Sequence, residues 1–174
     1  MMSWVEDVEY SIPDHAKDIK INLVATINNS VLDPVDAHAC AFIAAIVSGN
    51  GLLAQEIEMN GPLFVYTAER EAAKTAASLI SMLNTWYSFV ELADDVNITD
   101  EISGLSMEAC NTRGGVSKKK FEMYALTASI VSRCSFSIRS RCDKLRKEGT
   151  TTQELLAIGR IAATVSAIGK VVPV

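Results

Sequence analysis

The chain has little of what most metal and disulfide proteins rely on. It holds two histidines, His15 and His38, among 174 residues, and four cysteines, none of them paired as C-x-x-C. That leaves too few soft ligands for a zinc site and too few cysteines for a disulfide scaffold. In a reducing compartment the four should rest as thiols. No apolar run approaches the roughly 18 residues that a membrane helix needs. The opening "MMSWVEDVEYS" is acidic and has no apolar core of a secretory leader. A cytoplasmic protein with no membrane attachment is the expectation. Proline is scarce too, at four residues, and long stretches of strict apolar–polar alternation are absent, which argues against a strand-built fold.

What remains is a chain rich in helical signals. Apolar residues make up 49% and charged residues 21%, the balance of a globular protein. In "PDHAKDIKINLVATINNSV", Ile19, Leu23 and Ile27 fall four apart, with Ala16 one turn earlier, so one face is apolar. Asp33 before Pro34 reads as a helix N-cap followed by a first-turn proline. The helix so started runs through "VDAHACAFIAAIVSG" and stops near residues 49–51, and "LLAQEIEM" follows as a short piece. Residues 68–92 read as one long helix. Residues 93–116 read mostly as loop with one helical turn. Helix resumes at Ser117, breaks near 132–135, and continues to about Lys147, where Gly149 ends it. Thr151 and Glu154 form a capping-box pattern for the last helix, with Pro173 beyond its end. The expected architecture is all-α, a single domain over residues 1–174 with about six or more helices.

Charge is uneven along this frame. The net charge is −5, yet residues 111–150 hold ten Lys and Arg against three acids, a local balance of +7. One reading is a solvated helix face. The other is a field that favours an anion, a thiolate or an acidic partner. Nucleic acid is not expected, because the pI is about 5.1 and the basic block has no regular aromatic interleaving.

The basic block contains "RCSFSIRSRC", residues 133–142. If a helix starts near Cys134, free backbone amides and Arg133, Arg139 and Arg141 favour a thiolate over a thiol. The alternative is a small buried hydrophobe, the usual fate of a free cysteine. Ser137 lies one helical turn on, on the same face. Glu122, on the helix before, is either a proton carrier for the thiol or a solvated carboxylate beside three lysines. Cys142 is eight residues from Cys134, about 12 Å along a helix, too far for a bridge within one continuous helix. Cys40 reads as core, as does His38 if it turns inward, and Cys110 reads as a loop cysteine. Trp86, Tyr87 and Phe89 read as core or subunit contacts.

These stretches resemble a known family. "AKDIKINL" with "SVLD", then "VSKKKFEMYALTASIVSRCS", and the closing "AIGRIAATVSAIGKV" are similar in order and spacing to the AhpD alkylhydroperoxidases of the carboxymuconolactone decarboxylase-like superfamily, from about Pro13 to Val172. The resemblance implies an AhpD-like helical fold that assembles as a homotrimer or hexamer and reduces organic hydroperoxides or a partner peroxiredoxin's disulfide. It implies no bound cofactor, with electrons arriving from a lipoylated acyltransferase or an external thiol. Glu122 then falls at the family's glutamate and Cys134 at its first, resolving cysteine. Ser137 stands at the peroxidatic cysteine. Phe136 and Arg141 stand where the family has histidines. A serine hydroxyl is a weak nucleophile and forms no sulfenic acid. Two functional expectations follow: an antioxidant oxidoreductase working through Cys134 in an altered motif, with Glu122, Ser137 and Arg141 around it, or a non-catalytic relative on the same scaffold. A lactone decarboxylase of the wider superfamily is a third, with no specific support.

Overall fold

The computed structural model describes residues 3–172, and among them every regular element is helical. Helix α1 (Trp4–Ser11) begins at a capping box in which the Ser3 hydroxyl accepts from the Glu6 amide and the Glu6 carboxylate accepts from the Ser3 amide. It was not anticipated, because its acidic face hid the apolar trio Trp4, Val5 and Val8 that it buries. Helix α2 (Lys17–Asn28) buries Leu23 and Ile27 as the four-residue spacing requires. Helix α3 (Pro34–Val47) starts where Asp33 accepts from the Val35 amide at 2.9 Å. Helix α4 (Gly51–Asn60) is capped by Asn50.

The long helix of residues 68–92 has a different internal form from the one expected. It divides into α5 (Thr67–Thr75), a π-turn over Ala76–Ile80, and α6 (Ser81–Ala93). Two hydroxyls bond carbonyls four residues back at this point, Thr75 to Glu71 and Ser78 to Lys74, each at 2.9 Å. Such back-bonding loosens the helical ladder and lets a wide turn form. The π-turn buries Ala76, Ala77 and Ile80, while α6 beyond it buries only Asn84.

Residues 93–116 carry more structure than a loop with one turn. Asp95 caps α7 (Val96–Thr99) through the Asn97 amide, and α8 (Ala109–Thr112) leads into a 3-10 turn over Arg113–Gly115. Helix α9 (Lys118–Val131), α10 (Ser135–Lys147) and α11 (Thr152–Ile168) complete the chain. Pro173, read above as a stop signal, lies outside the described residues.

Helices α3, α9 and α11 pack on one another at the centre. Much of α3 is small residues, Ala37, Ala39, Cys40, Ala41, Ala44 and Ala45, all at or near zero exposure. Small side chains allow neighbouring helices to approach closely, and a helix apolar on all sides belongs in the middle of a bundle. Helix α2 covers α11, α4 and α5 cover α3, and α10 lies along α9 with α6 across it. No helix among the described residues is long and apolar enough to cross a membrane.

Candidate functional site at the junction of α9 and α10

The site begins with the way α9 ends. The Cys134 amide donates to the Ser129 carbonyl at 3.2 Å and the Arg133 amide to the Ile130 carbonyl at 3.0 Å. This is a Schellman termination, which needs one residue in the left-handed region. Arg133 fills that place with φ 57°. The same motif ends α10, with Gly149 at φ 81° and bonds from Gly149 to Arg146 and from Thr150 to Leu145. An L-residue is strained where glycine is not, so the α9 terminus holds its turn at a cost that the α10 terminus avoids.

The turn places Cys134 as the N-cap of α10 and buries it completely. Its sulfur does not accept from the free amides of α10. The cations expected around it turn elsewhere. Arg139 donates to the Ser135 carbonyl at 3.3 Å, Arg141 reaches Glu122, and Arg133 lines a separate cleft with Lys170. The N-cap and first two turns of α10 nevertheless present Cys134, Ser137 and Arg141 on one face, at spacings of three and four residues.

Glu122 meets this face from α9. Its Oε2 accepts from Arg141 Nη1 at 2.7 Å, and Lys144 Nζ stands 3.5 Å from its Oε1. Both partners in the Arg141 bond are only 13% exposed. Among the described residues no hydrogen bond joins Glu122 to Cys134. Ser137 is 4% exposed, and its hydroxyl has no hydrogen-bond partner among the described residues.

Ser137 and Arg141 line a cleft of about 200 Å³ between α6 and α10. Leu83, Tyr87 and Phe136 form its apolar side, and Ser140 and Lys144 join the polar side. The Tyr87 and Phe136 rings meet at 4.8 Å between centroids. Tyr87, read from sequence as core or a subunit contact, is therefore a cleft wall. Leu83, Ser140 and Lys144 went unnoticed in the sequence. Their only signal was the three- and four-residue spacing that aligns Ser137, Ser140, Arg141 and Lys144 along α10.

Four free thiols are present. Cys110 is half-buried on α8 rather than loose in a loop, and it lies beside the Glu122–Arg141 pair. Burial pushes its thiol up, Arg141 draws it back, and Glu122 adds to the rise. Nothing local in the sequence predicts this neighbourhood, which depends on residues 93–116 folding back over α9. Cys142 is also half-buried and raised by burial, with Arg146 opposing. Cys40 is fully buried and its thiol is pushed up to about 12 by desolvation. His38 is half-buried, its ring nitrogen 2.7 Å from the Pro34 carbonyl and its ring edge-on to Trp4. Among the described residues no group of three His, Cys, Asp or Glu is placed to hold a metal ion.

Fold and site together define an all-helical protein whose cation-rich helix, entered through a cysteine cap, forms one wall of a small polar cleft. Residues 102–172 match the carboxymuconolactone decarboxylase family. Over 169 residues the chain is 31% identical to the alkyl hydroperoxide reductase AhpD of Hyphomonas neptunium, covering 96% of this chain and 92% of the relative. It is 30% identical to AhpD of Brucella canis, with 92% and 91% covered, and 29% identical to AhpD of Streptomyces coelicolor, with 95% and 92% covered. The chain belongs to the family of these AhpD proteins.

Proposed function

We propose that the chain is an AhpD-like antioxidant oxidoreductase, reducing organic hydroperoxides or a partner's disulfide through a single redox sulfur, Cys134. One observation carries this reading: α10 gathers Cys134, Ser137 and Arg141 on one face, and Glu122 is bonded to that face. In the reaction the Cys134 thiolate attacks the distal oxygen of R–OOH. The O–O bond breaks, the sulfur is oxidised to a sulfenic acid, and the departing alkoxide takes the thiol's proton to become the alcohol. Ser137 cannot close a disulfide, so resolution falls to a dithiol from outside. One thiol displaces the sulfenic oxygen as water and forms a mixed disulfide. The second thiol breaks it, returning Cys134 reduced and leaving the dithiol oxidised. A lipoylated acyltransferase or a small dithiol fits that role, and a peroxiredoxin disulfide is the alternative electron acceptor. Glu122 is the proton relay, with Arg141 its positioning partner. A homotrimer or hexamer is the proposed assembly.

Access sets the rate. Cys134 has no exposed surface, so a peroxide reaches it only when the packing around the start of α10, where α6 lies against α9 and α10, opens. Helix α6 buries a single residue and is suited to that movement. Turnover of cumene hydroperoxide with dithiothreitol should fall at least tenfold in Cys134→Ala. Equal turnover in the variant eliminates Cys134 as the redox sulfur.

A second reading has its own observation. The Cys134 sulfur is wholly buried, and Ser137 stands one turn away with a hydroxyl in place of a second thiol. A non-catalytic relative that binds a ligand or partner on the same scaffold accounts for both. A sulfenic-acid trap that labels Cys134 on peroxide treatment decides against it; no labelling, with no peroxide consumed, decides for it.

A further inference from the structure

The cleft between α6 and α10 shares Ser137 and Arg141 with the face on which the redox reading rests, and it has the features of a ligand site in its own right. Ser137 is largely buried as a residue and lines the cavity, and its hydroxyl opens to the cleft with no hydrogen-bond partner among the described residues. Such a hydroxyl is a free donor for a ligand that enters. Arg141 sits beside it on the same wall. Its Nη1 is bonded to Glu122, but its Nε is buried with no acceptor. Lys144 adds a second cation, half-exposed and 3.5 Å from the same carboxylate. Two cations against one anion leave the wall with a surplus positive charge. The nearest acid of α6, Glu91, accepts from the Ser135 hydroxyl at 2.9 Å and lies outside the lining. The apolar side is aromatic, with Tyr87 of α6 and Phe136 of α10 in contact at 4.8 Å.

We infer that this cleft binds a small organic monocarboxylate, its carboxylate held by Ser137, Arg141 and Lys144 and its apolar body against Tyr87 and Phe136. A carboxylate supplies what the wall lacks: acceptors for the Arg141 Nε and the Ser137 hydroxyl, and one negative charge. A cavity of about 200 Å³ suits an aryl or short alkyl body. The inference does not depend on redox chemistry at Cys134, because it concerns equilibrium binding alone.

Titration calorimetry with benzoate, benzamide and formate tests it on the full chain. Benzoate should bind one to one, at least tenfold tighter than benzamide, which lacks the charge, and tighter than formate, which lacks the ring. Lys144→Gln, a half-exposed position that leaves the fold intact, should weaken benzoate at least threefold and benzamide not at all. Tyr87→Ala should weaken benzoate and leave formate unchanged. The same affinity should persist in Cys134→Ala, which separates a failure of this inference from a failure of the redox reading. Equal binding of benzoate and benzamide, no benzoate binding at millimolar concentration, or an unchanged affinity in both Lys144→Gln and Tyr87→Ala overturns it.

Discussion

Arg133 holds a backbone conformation that glycine holds without strain. Arg133→Gly therefore relieves the turn that ends α9, offset in part by the greater freedom glycine gives the unfolded chain. The expected gain is about 0.5–1 kcal/mol, read as a higher urea midpoint at unchanged slope. Asp36 shows the opposite situation, a buried carboxyl kept by its neighbours. The Tyr124 hydroxyl donates to it at 2.8 Å and Lys120 lies at 3.2 Å, yet burial outweighs both and raises its pKa. The folded state then holds the Asp36 proton to higher pH than the unfolded chain does, so stability falls as pH climbs from the ordinary carboxylate value through the raised one. Tyr124→Phe removes a bond that favours the charged form. It should move the Asp36 titration further upward by carbon-13 NMR and cost about 1–3 kcal/mol at neutral pH. The thiols should also separate by burial. Cys110 and Cys142 should alkylate first in the native protein, and Cys40 only on unfolding.

Single helices are specified mainly at their ends. The Thr151 amide donates to Glu154 at 2.6 Å and the Glu154 amide to the Thr151 hydroxyl at 3.2 Å. The Thr151 backbone bond, then its hydroxyl, holds the Glu154 carboxyl below its usual range. A lowered carboxyl contributes stability above the unfolded value and loses it as pH falls through the folded one. Thr151→Ala should cost about 1 kcal/mol at neutral pH, with the difference shrinking on acidification, as thermal midpoints across roughly pH 3–7 would record. This box was legible in the sequence because a cap needs only residues three apart, whereas the equivalent Ser3–Glu6 box went unread. The π-turn at 76–80 was not, since alanine-rich sequence propagates helix equally well in either form, and its hydroxyl back-bonds leave no distinctive composition. That turn resets the phase of α6, which brings Leu83 and Tyr87 to the cleft.

Across the whole molecule, the segment over residues 93–116 joins distant parts. Gly114 lies at φ 61°, and a Cβ there would run into the Ala72 backbone on α5. Gly114→Ala combines left-handed strain with a backbone clash, and a loss of at least about 2 kcal/mol is expected. Faster alkylation of Cys110 would show that α8 has come away from α9. The basic block is likewise resolved only by the folded chain. Lys118 reaches Glu148, Lys120 reaches Asp36 and Glu69, and Arg141 and Lys144 share Glu122. Of these cations only Lys120 draws on acids outside the block, so most of the local +7 remains after folding, and Arg141 and Lys144 are the part of it that lines the cleft.

The sequence by itself determined the all-helical class, the main helices from α2 to α4 and α9 to α11, the caps at Asp33 and Thr151, the break before Cys134, and the alignment of Cys134, Ser137 and Arg141. Each of these is a matter of neighbours within one or two turns, where backbone geometry and side-chain type suffice. Only the tertiary structure decided that Glu122 bonds to Arg141, that Cys110 sits beside them, that Tyr87 faces Ser137 across a cleft, and that the Cys134 sulfur is sealed from solvent. Those facts arise from contacts between residues up to about fifty positions apart, and such contacts are set by how whole helices pack, which no local pattern encodes.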